Sequence, residues 1–164
     1  MQDMTQLTTC CGLINKGGIK MAVWQFKCNI IPKRRSAENL TQDELLSWKG
    51  ISPPAHKISF LSQEQTWTPN VVQYGKSDET CLEFVFENNE LEEIECRLDL
   101  RSLTKATLTE LLEYVEKSNA VFWVNGEVHS PKMAEMVEVM KCSEANLFCK
   151  DPKGYILRKN KTIE

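Results

Sequence analysis

The sequence predicts an α+β fold, a two-layer sandwich in which helices pack on one face of a mainly antiparallel sheet. Three observations predict this class. Several short runs alternate apolar and polar residues, two of these runs flank an Asn-rich turn, and the remaining apolar residues recur at helical spacing after Ser or Thr. The chain has 164 residues, a length typical of a single domain.

The strands are predicted from alternation. The run AVWQFKCNIIP places Trp24, Phe26 and Cys28 on one face and ends at Pro32. The runs ETCLEFVFE and LEEIECRLDLR are separated by Asn and Glu residues, so they predict an antiparallel hairpin. The continuous apolar run AVFWVNG predicts a strand that is buried on both faces.

The helices are predicted from their caps. Thr41 and Glu44 have the spacing of a capping box at the start of QDELLSWKG, and we expect that helix to end at Gly50. Thr104 precedes KATLTELLEYVEKSN, whose leucines form one apolar stripe. Ser130, followed by proline, predicts the start of KMAEMVEVMKC.

Two boundaries of the folded unit are predicted. Residues 1–20 lack periodicity, and we interpret them as a disordered leader that lies outside a native protein beginning at Met21. The Lys-Gly-Gly of residues 16–18 can be encoded with the bacterial ribosome-binding sequence AGGAGG, which indicates a bacterial source; the alternative is a genuine flexible tail. Residues 21–157 are then a single α+β domain, and residues 158–164 a frayed tail.

Composition and charge exclude several classes of function. The net charge is −3 and basic residues form only short clusters, so we expect no nucleic-acid partner. No apolar stretch approaches the ~20 residues that cross a bilayer, and no signal peptide is recognisable, so we expect no membrane partner and a cytoplasmic location. The seven cysteines include no C-x-x-C pair, which argues against a disulfide framework or a zinc site.

Catalytic motifs are missing from the sequence. The two histidines, His56 and His129, lie in predicted loops, and neither has a spacing to a cysteine that favours a nucleophile with its base. Neither a G-x-G-x-x-G fingerprint nor a P-loop is present. The sequence therefore predicts no catalytic residue, no cofactor and no metal, and it favours a non-enzymatic protein over an enzyme.

Candidate binding residues lie on the outward face of the predicted hairpin and in the proline-rich segment. They are charged or aromatic: Glu83, Glu87, Glu93, Glu95, Arg97, Asp99, Arg101, Trp48 and Trp67. Two simpler interpretations stay open. The charges would form weak cross-strand ion pairs on an ordinary solvated face, and the tryptophans would pack beneath a loop.

These observations predict a protein-binding domain of the bacterial immunity or antitoxin type, whose acidic sheet face covers a basic toxin. The alternative is a small-ligand-binding or hydrolytic enzyme domain in which residues 51–70, a long segment with three prolines, form a lid. A pocket that combines His56, a cysteine and a buried carboxylate would favour that alternative.

Overall fold

The computed structural model describes residues 22–34 and 39–161. The predictions for residues 1–20, for a start at Met21 and for residues 162–164 lie outside the described residues. Within them, all strands form one seven-stranded antiparallel sheet, and the helices pack against it. The α+β class predicted from the sequence is confirmed.

The described chain forms seven strands and five helices, and a long connection joins α1 to β2. The strands are β1 (Gln25–Pro32), β2 (Gln63–Glu64), β3 (Val71–Tyr74), β4 (Cys81–Glu87), β5 (Glu90–Asp99), β6 (Ala120–Val124) and β7 (Glu127–His129). The helices are α1 (Gln42–Leu46), α2 (Lys105–Lys117), α3 (Met133–Lys141), α4 (Glu144–Lys150) and α5 (Pro152–Lys161). The spatial order of the strands is β2-β3-β4-β5-β1-β6-β7. No helix among the described residues is long and apolar enough to cross a membrane.

The antiparallel β4–β5 hairpin predicted from the sequence is present, and its turn consists of two residues of the Asn-rich segment. Asn88 and Asn89 adopt φ values of 52° and 65°, and asparagine tolerates this left-handed conformation better than most residues. Positive φ at both positions gives a turn whose twist matches that of the strands. The ladder shifts register between Val85 and Phe86, because Val85 pairs with Glu93 whereas Phe86 pairs with Leu91. Glu92 is therefore the extra residue of a β-bulge.

The core lies on one face of the sheet, beneath the helices. Alternate residues of the central strands point into it, and α2, α3 and α4 close it with their apolar sides. Its largest fully buried members are Ile30, Trp48, Leu82, Ile94, Leu98, Leu111, Val115, Phe122 and Met136. The opposite face of the sheet, here called the outer face, carries the polar residues of the same alternation.

Three helix boundaries differ from the prediction. The capping box of Thr41 and Glu44 is confirmed, but α1 ends at Leu46, before Trp48 and Gly50. Helix α3 begins at Met133 after Lys132, while the backbone N–H of Ser130 donates to Glu135. Residues 152–161, predicted as a short segment and part of a tail, form α5, because proline suits a first helical position and Asp151 accepts a bond from the N–H of Gly154.

Candidate functional site

The centre of the outer face holds a buried ion pair. Arg97 on β5 donates from its guanidinium to Glu83 on β4, and only 3% of Arg97 and 7% of Glu83 is exposed. Burial raises the pKa of Glu83 above its ordinary value, although the charge of Arg97 acts in the opposite direction. Glu95, directly across the ladder from Glu83, raises that pKa further. Glu83 and Arg97 are therefore part of the folded interior.

The end of β5 holds a second buried carboxylate, Asp99, which is paired with an arginine. Asp99 is 2% exposed and accepts bonds from Nε and Nη2 of Arg101 at 2.9 and 2.8 Å. These bonds hold the pKa of Asp99 below its ordinary value. The guanidinium of Arg101 also lies 3.9 Å from the ring centroid of Trp24. Asp99 and Arg101 thus fasten the end of the sheet to the segment before β1.

Glu95 is the remaining carboxylate at the centre of the outer face, and it is also paired. Its Oε2 atom lies 3.5 Å from Nζ of Lys27, and both side chains are partly exposed. Three carboxylates on this part of the sheet therefore face three cationic side chains. The predicted acidic sheet face is, in its central part, a set of ion pairs.

The hairpin tip has a different charge balance. Glu87 and Glu90 are opposite each other in the ladder, next to the turn, and Glu92 and Glu93 follow on β5. Lys49 contacts the carboxylates of Glu87 and Glu92, the latter at 3.2 Å. Two of these four carboxylates thus share one lysine. Their side chains are exposed or half-buried.

An exposed tryptophan lies at the same end of the sheet. Trp67 is 76% exposed and belongs to the loop between β2 and β3. The last residue of that loop, Asn70, accepts a backbone bond from Phe86 at 2.8 Å, which ties the loop to the hairpin tip. We call Trp67, Glu87, Glu90, Glu92 and Glu93 the tip surface.

Trp48, the other candidate tryptophan, lies in the core. It is 1% exposed, its indole Nε1 donates to the carbonyl of Ile30 at 2.9 Å, and its backbone N–H donates to the carbonyl of Glu92 at 2.8 Å. It fills the gap where β1 leaves β5 and pairs with β6. The structure therefore assigns Trp48 to packing, the simpler of the two interpretations, and leaves Trp67 at the surface.

A cleft lies on the helix face, where the helices do not cover β3 and β4. It has a volume of about 280 Å³, and residues from the proline-rich segment close it from above. Its lining is mostly aromatic: Pro54, His56, Ile58, Val72, Tyr74, Phe84, Phe86 and Tyr114. His56 is thus in the cleft, but none of the described residues that line it is a cysteine or a carboxylate. The combination that would favour a hydrolytic enzyme is not assembled there.

The thiols of the sheet are poorly suited to nucleophilic chemistry. Burial raises the pKa of Cys81 to about 12. Cys28 and Cys96 face each other across β1 and β5, and their contact, together with burial, raises the pKa of Cys96 well above its ordinary value. Because the thiolate is the nucleophile, thiols with raised pKa values are inert at neutral pH. Among the described residues, no cluster of His, Cys, Asp or Glu is arranged to hold a metal ion.

The sequence reasoning missed Glu90, Glu92 and the aromatic residues of the cleft. The spacing of Leu91 and Ile94 contained a signal for Glu92, because two core residues of one strand separated by three positions require a bulge. Comparisons with protein families, with curated proteins and with solved structures found no match. Function is therefore argued from the residues themselves.

Proposed function

We propose that this chain is a non-enzymatic protein-binding domain whose tip surface binds a basic protein. One observation carries the proposal: Glu87 and Glu90 are directly opposite each other at the hairpin tip. Like charges at opposed positions destabilise a hairpin. Lys49 already contacts Glu87, so one negative charge of this opposed pair is uncompensated by Lys49. A cationic group of a partner, placed beside Glu90, would balance that charge and reduce the remaining repulsion.

The exposed side chain of Trp67 is a second feature that supports binding at the tip surface. A tryptophan that is 76% exposed keeps most of its apolar area in water. Tryptophan is enriched among the residues that dominate binding energy in protein interfaces, where the charged surroundings contribute specificity and association rate. A partner that covers Trp67 and brings a lysine or arginine to Glu87 and Glu90 would satisfy both features.

More specifically, we propose that the chain has an immunity or antitoxin-like role in a bacterial cytoplasm, with a basic toxin as its partner. It is supported by the net charge of −3, by the carboxylates of the tip surface, and by a codon pattern available to residues 16–18. The gene neighbourhood supplies the specific partner to test, because such proteins are encoded beside the toxin they neutralise.

The test measures binding to the purified product of the neighbouring upstream gene by isothermal titration calorimetry. We expect a complex whose affinity falls between about 50 and about 300 mM salt, since exposed charges are screened over that range. Glu87→Lys should weaken it at least about tenfold, and Trp67→Ala by a similar factor. The matched control is Glu113→Lys on α2, because Glu113 and Glu87 have equally exposed side chains, 59% each, and both pair with a lysine.

Two results contradict the proposal. The first is that the neighbouring product does not bind, or binds without dependence on salt. The second is that Glu87→Lys and Glu113→Lys change the affinity equally, because the effect then follows the net charge rather than the tip surface.

A further inference from the structure

The aromatic cleft on the helix face is independent of the tip surface and has the features of a ligand site. Its floor is the core side of β3 and β4, where Tyr74 and Phe84 meet edge to face with ring centroids 5.9 Å apart. Tyr114 of α2 forms one wall. Flat aromatic surfaces arranged in this way present both ring faces and ring edges to a planar guest.

The roof of the cleft is held less firmly than its floor. From residue 52 to residue 61, no backbone hydrogen bond joins the segment to another described residue. The side chains of Ile58, Phe60 and Leu61 hold it, because they are partly buried against the core. Segments with few backbone hydrogen bonds open at low free-energy cost. The segment that carries Pro54 and His56 can therefore admit a ligand without disturbing the sheet.

The polar groups in the cleft are hydrogen-bond donors. Tyr74 makes no side-chain hydrogen bond to another described residue, and Tyr114 is 5% exposed. Burial raises the pKa of Tyr114 to about 12, although a side-chain hydrogen bond with Ser118 acts in the opposite direction, so its hydroxyl keeps its proton at neutral pH. Tyrosine hydroxyls and the N–H of His56 donate to an oxygen acceptor. No carboxylate among the described residues lines the cleft, so a cationic guest would find no counter-ion.

We propose that this cleft binds one small planar aromatic carboxylate, with the rings against Tyr74 and Phe84 and the carboxylate toward Tyr114 and His56. The volume sets the size of the ligand. At roughly 20 Å³ per non-hydrogen atom, the packing density of a protein interior, 280 Å³ accommodates about 14 such atoms. A fused two-ring aromatic acid has this size.

The probe is 2-naphthoate, titrated into the full chain and followed by calorimetry and by protein NMR. We expect a single saturable site with a dissociation constant between about 10 μM and about 1 mM, the range for a ligand of this size. Tyr114→Phe, which removes one donor and keeps the ring, should weaken binding at least about fivefold. The matched control is Tyr155→Phe on α5, outside the cleft, which should leave the affinity unchanged.

Charge and fold are controlled separately. The neutral alcohol 2-naphthalenemethanol, which has the same rings but no carboxylate, should bind at least about tenfold more weakly than 2-naphthoate, because hydrogen bonds to a charged acceptor are the stronger ones. If Tyr114→Phe does not fold, Tyr74→Phe tests the second donor, and circular dichroism reports the fold of both variants. The proposal is overturned if 2-naphthoate shows no saturable binding below about 5 mM, if 2-naphthalenemethanol binds as tightly, or if neither tyrosine variant that folds changes the affinity.

Discussion

Removing the two partners of the buried ion pair, singly and together, tests whether Glu83 and Arg97 contribute stability or only specificity. Glu83→Leu should lower the free energy of unfolding by about 3 to 5 kcal/mol, because it leaves a guanidinium buried without its carboxylate. Arg97 is 3% exposed and cannot lose its proton. Its Nε also has no hydrogen-bond partner among the described residues, and its contact with the thiol of Cys81 is to a weak acceptor that does not replace a carboxylate.

Arg97→Met should cost less, and its cost should depend on pH. A carboxylate left alone can take up a proton, so the folded-state pKa of Glu83 rises further above its unfolded value in this variant. The folded state then binds more protons than the unfolded state between these two pKa values. Its stability is therefore lost as the pH rises through that interval. We expect the penalty of Arg97→Met to be larger at about pH 7 than at about pH 5. The penalty of Glu83→Leu should be smaller at the higher pH, because the native chain also loses stability as Glu83 ionises, and this variant has no carboxyl group there.

The double variant decides the question. Burial raises the pKa of Glu83 even with Arg97 in contact, so desolvation outweighs the attraction between the charges. Replacing both residues should therefore leave stability within about 1 kcal/mol of the native chain or increase it by up to about 4 kcal/mol. Urea unfolding followed by circular dichroism gives all four free energies. Lys27→Met with Glu95→Leu is the matched exposed pair, and its coupling should be about 1 kcal/mol or less.

The reasoning on the buried pair is refuted if the double variant loses as much stability as the two single variants combined. Such a result would mean that the side chains act independently, and that apolar replacements cannot pack on the outer face. It is also refuted if Glu83→Leu is tolerated within about 0.5 kcal/mol, the range typical of solvated surface positions.

Two further predictions test the packing of Trp48 and the turn at Gly75. Trp48→Phe should lower stability by about 3 kcal/mol, because it removes the donor to the carbonyl of Ile30 and leaves a void, whereas Trp67→Phe should change it by less than about 0.5 kcal/mol in the same urea titration. Gly75→Ala should cost more than Gly126→Ala by at least about 1 kcal/mol in thermal unfolding. Both glycines have positive φ, but a Cβ at Gly75 would lie 2.1 Å from the carbonyl oxygen of Thr80 and one at Gly126 would meet nothing within 4 Å. Equal costs would mean that the strain of a positive φ, and not the clash with Thr80, determines the loss of stability.

Local signals in the sequence predicted much of the fold. The alternation around Phe26 and the paired asparagines of the hairpin are determined by neighbours in the chain, as are the capping boxes and N-caps at Thr41 and Thr104. Such features involve residues within a few positions of each other. The position of the core followed, because most apolar residues of the strands alternate onto one face, although Ile31, Cys81 and Val121 are buried on the outer face.

The burial of charges was not predictable in the same way. Alternation places Glu83, Glu95 and Arg97 on the outer face, but it does not say which of them the folded chain covers. That depends on contacts between residues distant in sequence, such as Glu83 with Arg97. The helical spacing turns Trp48 inward, and the residue is buried, but it lies after the end of α1 at Leu46 and fills the gap between β1 and β5, so its candidate binding role does not fit. In both cases tertiary contacts overrode the local pattern.

The β-bulge at Glu92 connects the fold to the proposed binding surface. Without the extra residue, strict alternation from Ile94 would turn Leu91 to the outer face. The bulge returns Leu91 to the core and lets Glu92 and Glu93 follow each other as a pair of carboxylates beside the turn. The carbonyl of Glu92 accepts a hydrogen bond from the backbone N–H of Trp48, so the buried tryptophan holds the bulge in place. The charge concentration at the tip is thus built on a core contact, and a partner that binds there meets a surface whose geometry is set before binding.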